Sequence, residues 1–562
     1  MMNLLATLVL IFVSGGPANG GSGEFAKFVD DYFDAKFAAS PTGATGAGIH
    51  QYDDRLDDLS LGRIKARTVE SKEQLGRLKA MDRAGFSFDE EIDARVLEDQ
   101  IRAELLELET LRGWESNPMS DAGLPGGAID GLMKRNFAPA ASRLKSVIAR
   151  EKAIPGVYKA ARENLKNPPK EFTDLAIRMA KGSVGFFESS VAVWAKEAGK
   201  GEEALGKEFE ASNAEAIAAT KRFAKWLEED LLPRSKGKYA IGAENFLAKL
   251  KYEEMIDLPL ADVLARGEAN LEKDYKAFVE TAKLIDPAKT PAEVMKALSD
   301  EHPTAEDLIP TVRRSVMAAK DFLVEKKVVS IPSEVAPRIE ETPPYARSGS
   351  FASMDTPGPY ETKATEAFYY VTPVEADWTA AHKEEHLRLY NGPVVAMINV
   401  HEAYPGHYLQ FLYAPQYPTK TRKLVACGTN AEGWAHYTEQ MMVDLGFGGG
   451  DPKVRLAQIQ EALLRDCRYV VGIKLHTAGW TVEEGAKLFE EKGFQEPANA
   501  FEESRRGAYN PTYLYYTFGK LLIQDLRDEF LAKKGGSLRD FHDAFVRQGG
   551  LAIPLVRKIL LR

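Results

Sequence analysis

Apolar residues recur every three to four positions along most of the chain, with charged residues filling the intervals. Leu97, Ile101, Leu105 and Leu108 mark one such face, and similar amphipathic stretches run over 203–229, 258–282 and 292–298. That period belongs to helices that pack one face on a core. Asn167-Pro168-Pro169 and Leu232-Pro233 punctuate the pattern, because proline lacks the helix donor and clashes with the preceding turn. Between Val328 and Glu361, the prolines at 332, 337, 343, 344, 357 and 359 exclude a helix interior. The segment reads as a long, partly extended crossover. Phe368-Tyr369-Tyr370-Val371-Thr372 is aromatic and β-branched, which predicts a short strand. Beyond residue 376 the helical pattern returns and continues to the end. The expectation is a mainly α protein with a small β element. Its halves, 21–330 and 331–562, would form one compact unit.

The first twenty residues carry no charged side chain, and Leu4 to Val13 form an apolar run ended by Ser14-Gly15-Gly16-Pro17. Ala18-Asn19-Gly20 then offers the small residues that a signal peptidase reads. Residues 1–20 are therefore expected to be a signal peptide, although the n-region lacks Lys or Arg. The apolar run is short for a span of about twenty residues, so no stable membrane insertion is expected after cleavage. No Cys follows it, which argues against lipid attachment there. The mature protein is expected to be periplasmic or secreted. In that setting Cys427 and Cys467 could form one disulfide or remain two buried thiols.

The composition alters little. Of 562 residues, 44% are hydrophobic, 28% charged and 10% aromatic, which excludes a disordered, collagen-like or multi-spanning membrane protein. The formal charge of −10, from 73 basic and 83 acidic residues, gives no electrostatic reason to expect nucleic acid or an anionic membrane as partner. Two cysteines cannot build a Cys-rich zinc site. Of the nine histidines, five (His382, His386, His401, His407 and His436) lie in one stretch of the C-terminal half.

At the centre of that stretch is His401-Glu402-Ala403-Tyr404-Pro405-Gly406-His407. A His-Glu pair followed by a second His is the ligand-and-base arrangement of zinc peptidases. The spacing does not suit a straight helix, where residues six apart are offset by about 240°. Two resolutions stand open. Pro405 and Gly406 could let the helix loop out and bring His407 back, or the helix could end at Tyr404 and His407 could begin another element. Further along, Glu432, His436 and Glu439 occupy one face of a predicted helix at i, i+4 and i+7. Two imidazoles and a carboxylate from a separate helix leave an open position for water, as a catalytic zinc site requires. Gly433 and Trp434 argue against a merely solvated face. His382 and His386 lie one turn apart, but Lys383, Glu384 and Glu385 around them suggest a wet surface.

The run from His401 to Gln410, followed by Glu432-Gly433-Trp434, resembles the bacterial proteins grouped as domain of unknown function 885. Softer similarities extend it, at Asn164-Leu165-Lys166-Asn167-Pro168-Pro169 and at Tyr513 to Leu521. The resemblance implies a large helical zinc-peptidase-like fold with a deep cleft. It also implies one Zn2+ held by His401, His407 and Glu432, with Glu402 as general base. Two positions depart from the pattern: Tyr408 stands where His is frequent, and His436 where an apolar residue is frequent.

The remaining roles are expectations of chemistry. Glu439 or His436 would accept the remaining N–H of a ligating imidazole. Tyr516, or second Tyr513, would donate to the transition-state oxyanion. Arg465, Arg468, Arg505 or Arg506 could clamp a substrate carboxylate, and His476 could add a donor, although a core histidine is the plainer reading. The expected activity is hydrolysis of short peptides or peptide-like amides. A non-catalytic binding protein, or a hydrolase of another amide or ester, are the alternatives.

Overall fold

The computed structural model describes residues 20–342, 347, 352–376 and 378–562, with side chains from Ser22 onward. Residues 1–19 of the expected leader lie outside the described residues. Helices dominate, and one small sheet interrupts them. The predicted amphipathic stretches are helices Phe88–Leu105, Glu203–Trp226, Leu260–Ile285 and Pro291–Ser299. The first two run on into single wide turns, Leu106–Leu111 and Leu227–Leu231. Pro168 and Pro169 separate helix Ala140–Asn164 from Lys170–Phe186. No helix among the described residues is long and apolar enough to cross a membrane.

The crossover contains more order than its prolines suggest. Two strands form within it, β1 (Arg338–Glu341) and β2 (Ala352–Asp355), and both pair with β3 (Phe368–Val371). The sheet order is β1-β3-β2, with β1 parallel and β2 antiparallel to β3. Alternation along β3 buries Tyr369 and Val371 while Phe368 and Tyr370 stay partly covered, as a half-buried strand requires. Tyr369 donates to Asn399 Oδ1 at 2.7 Å, which ties the sheet to the helix Gly392–Glu402.

The largest core joins distant parts of the chain. Phe25, Phe28, Phe33 and Leu97 pack in one cluster with Met397, Tyr404, Trp434 and Phe545. A second core lies within the helices of residues 122–231, and a third joins Leu271 and Phe278 to Leu463, Val470 and Tyr513. Cys427 and Cys467 are both buried free thiols. The wet face expected at 382–386 is wet only in part. His386 is buried with Nε2 2.8 Å from the Thr372 carbonyl, whereas exposed His382 stacks on Trp378.

Candidate metal centre

The helix Gly392–Glu402 begins at an Asn391 cap whose side chain accepts from the Val394 N–H, with Pro393 in the first turn, where proline's missing donor costs nothing. It stops after Glu402. Ala403 leaves the helical region, the Tyr404–Pro405 peptide is cis, and His407–Leu412 is a separate short helix. Of the two resolutions, the second is found, yet the histidines still converge. Gly406 N–H donates to the Val400 carbonyl at 2.9 Å, folding the connection back on the first helix. A Cβ at Gly406 would lie 1.7 Å from the His401 carbonyl oxygen. Only glycine permits so close a return.

Glu432 comes from the helix Gly428–Asp444. Its first turn is capped from a distance: buried Glu254 accepts from the Gly428 and Thr429 N–H groups at 2.9 Å each, and from the Thr429 hydroxyl. A carboxylate there satisfies orphan donors and complements the helix dipole. Burial nonetheless pushes its pKa up to about 7. The helix then crosses Tyr515–Lys534 at a contact made of two glycines. A Cβ on Gly433 would sit 2.5 Å from the Gly519 Cα, and one on Gly519 would sit 2.1 Å from the Thr429 carbonyl oxygen. This crossing brings Tyr516 to the site.

Glu432 Oε2 lies 3.5 Å from His401 Nε2 and 3.4 Å from His407 Nε2. Ligand atoms at tetrahedral angles around a zinc ion, each about 2.0–2.1 Å from it, are separated by about 3.3 Å. Oε2 is buried and accepts no hydrogen bond among the described residues, as suits an atom aimed at a cation. Ligand atoms of His401, Glu402 and His407 also fall within 4.8 Å of one another. One Glu432 oxygen also faces both imidazoles at nearly equal distance. His401, His407 and Glu432 suit a divalent metal by donor type, with the Glu432 oxygen close to both imidazoles.

Around this cluster, His401 Nδ1 donates to Glu439 Oε1 at 2.6 Å. In the neutral ring that bond keeps the proton on Nδ1 and leaves the Nε2 lone pair turned toward Glu432, the form that a metal would need. Glu439 is held by Arg465 Nη2 at 3.3 Å and by His436 Nδ1 at 3.2 Å. Burial opposes its charge, but Arg465 above all keeps the carboxyl far below the usual range. His436 is fully buried, and burial, with the Lys520 charge beside it, lowers its pKa to about 3. It supports Glu439 and is not part of the ligand cluster. Burial alone would lower the His401 pKa, yet Glu432 and Glu439 together raise it to about 9.

Glu402 is partly exposed and, among the described residues, makes no hydrogen bond or ion pair. Its charge is felt by Tyr369 of β3. The Tyr516 ring stacks against His401 at 6.4 Å between centroids, and its hydroxyl has no hydrogen-bond partner among the described residues. Tyr513 differs, because its hydroxyl donates to Glu503 and its side chain is fully buried. His476 is buried with Nε2 2.9 Å from the Gly507 carbonyl. Arg505 pairs with Glu502. Tyr513, His476 and Arg505 thus each have a protein partner. Phe411, one turn beyond His407, carries no sequence signal of a role. The residue is 43% exposed and its ring lies 6.4 Å from the His407 ring. Glu254 was equally silent, since nothing in the sequence links it to a helix 174 residues away.

Residues 41–560 match the model of the family described as bacterial protein of unknown function, DUF885, and the chain belongs to that family. Two solved structures are similar to it over nearly its whole length. A candidate lipoprotein of unknown function from Shewanella oneidensis is 26% identical, with a TM-score of 0.81 over 96% of this chain and 100% of that one. A candidate lipoprotein from Colwellia psychrerythraea is 17% identical, with a TM-score of 0.81 over 96% of this chain and 99% of that one, a likeness of fold alone. No curated protein matches the chain.

Proposed function

We propose that this member of the DUF885 family is an exported zinc-dependent hydrolase of short peptides or peptide-like amides. The observation that carries the reading is the single Glu432 oxygen set 3.4 and 3.5 Å from the Nε2 atoms of His407 and His401. Export is supported by the apolar leader and by the similar structure from Shewanella oneidensis, described as a candidate lipoprotein.

His401, His407 and Glu432 would hold the metal, which when bound supplies a Lewis acid that acidifies water and polarises a carbonyl. Glu402 takes the water proton and returns it to the leaving amine. Its lack of protein partners among the described residues leaves the carboxylate available for that duty. Glu439, locked by Arg465, fixes the tautomer and orientation of His401. The Tyr516 hydroxyl, with no protein acceptor, donates to the oxygen on which negative charge develops. Exposed Phe411 beside His407 offers an apolar wall for a substrate side chain. The helices of the N-terminal half would wall a deep cleft above the site and restrict entry to short chains.

The test is Glu402→Gln in zinc-loaded protein, assayed on a mixed peptide library with metal content measured on the same sample. Turnover is expected to vanish while one zinc per chain remains. Turnover that survives the substitution would remove Glu402 from the mechanism. Absence of stoichiometric zinc after reconstitution would remove the metal reading altogether.

A further inference from the structure

Five arginines lie on the two helices Pro452–Thr477 and Pro497–Tyr509, and four of them are neutralised, Arg455 by Asp444 at 2.6 Å. Arg465 pairs with Glu439 at 3.3 Å and Glu461 at 2.8 Å. Arg468 grips Glu503 through two nitrogens, at 2.7 and 2.8 Å. Arg505 is bound to Glu502. Arg506 is different: its guanidinium makes no hydrogen bond or ion pair among the described residues. Glu503 senses its charge, but that carboxylate is already taken by Arg468 and the Tyr513 hydroxyl.

Arg506 is also held in place without being used up. It lies over the Tyr513 ring at 5.3 Å, a contact that orients the cation and leaves its N–H edge free. The same ring is covered by Arg468 at 5.3 Å, and Arg468 covers Tyr516 at 5.2 Å. The Tyr516 hydroxyl feels the charges of Arg468, Arg506 and Arg465. A continuous layer of arginine and tyrosine thus runs from the ring beside His401 to Arg506. The helix that carries Arg506 also touches the N-terminal half, where Tyr509 meets Phe172 at 6.5 Å. The cation therefore stands close to where the two halves meet.

We infer that Arg506 is the anchor for a substrate carboxylate, so that the proposed hydrolase selects short peptides ending in a free C-terminus. A planar guanidinium with no protein acceptor binds a carboxylate through paired N–H bonds. Such a group discriminates strongly against a neutral amide in the same place. This inference rests on the peptide-hydrolase reading. An acidic side chain of the substrate offers the same chemistry, and the experiment separates the two sources.

The experiment uses zinc-loaded Glu402→Gln protein, which binds without turnover, and measures affinity by calorimetry. The probes are N-acetylated di- to tetrapeptides as free acids, as C-terminal amides, and as amides bearing Asp or Glu at the last position. The free acids are expected to bind at least about tenfold tighter than their amides. Adding Arg506→Gln should abolish that difference while leaving amide binding unchanged, an outcome that a purely structural arginine would not produce. Equal affinity for acids and amides, or no binding of either, overturns the inference. So does a preference restored by the acidic side chain of an amidated peptide, since that would move the selected carboxylate away from the C-terminus. Zinc content measured on the same protein shows separately whether the metal reading itself has failed.

Discussion

Glu439 Oε1 sits 2.6 Å from His401 Nδ1, joining two helices that share no local sequence, and Arg465 holds that carboxylate from a third. Replacing Glu439 with Gln removes the charge while keeping the shape. The amide accepts a weaker bond from the imidazole and leaves Arg465 with only Glu461. Zinc affinity is expected to fall about 10–100-fold, measured by competition with a chromogenic chelator. Unchanged affinity would show that Glu439 does not tune the ligand.

The crossing of Gly433 and Gly519 predicts a packing effect with a catalytic consequence. Gly519→Ala places a methyl 2.1 Å from the Thr429 carbonyl oxygen, so the helices must separate. Denaturant unfolding should report a loss of about 1–3 kcal/mol. Activity should fall as well, because the same crossing sets Tyr516 against His401. A variant as stable as the parent would contradict the close contact.

Tyr516 and Tyr513 separate by what their hydroxyls touch. Tyr516→Phe is expected to lower kcat by about 10²–10³-fold with KM little changed. Tyr513→Phe removes the donor to Glu503, which Arg468 still holds, and is expected to affect stability more than turnover. Steady-state kinetics and thermal unfolding on both variants distinguish the roles. Equal kinetic losses would sink the assignment.

Stability is expected to fall as pH rises from mildly acidic to alkaline. Glu151 is buried, bonded to Ser212, and burial raises its pKa from 4.5 to about 8. Below pH 4.5 the carboxyl is neutral in both states and its contribution is complete. As pH rises, the unfolded chain ionises first, and stability declines until the folded carboxyl ionises near pH 8. Glu151→Gln should remove its share of this decline, about 1–3 kcal/mol between pH 5 and 8, in thermal melts across that range, while buried Glu254 still contributes its own. An unchanged slope would place the titration elsewhere.

The boundaries of the helical pattern were legible where proline and glycine punctuate it, as at Pro168-Pro169. The crossover was less so. Its prolines exclude helix, and β3 shows in Phe368–Val371, but β1 and β2 form only because β3 gives them a partner. His386 reads as a wet residue among Lys and Glu, yet tertiary packing buries it. Gly406 reads in one dimension as a residue that could turn the chain back, but how closely it passes the His401 carbonyl shows only in the fold.

By itself, the amino-acid order determined that the chain is mainly helical and which residue types could hold a metal. Periodicity and ligand chemistry are local properties, written at fixed spacings. Tertiary structure decided how those residues meet. It placed His407 beside His401 without a continuous helix, and it capped the Glu432 helix with Glu254. It also gave Arg465, Arg468 and Arg505 their carboxylates and left Arg506 without one. Each of those outcomes depends on contacts between segments tens to hundreds of residues apart, and no local spacing encodes them.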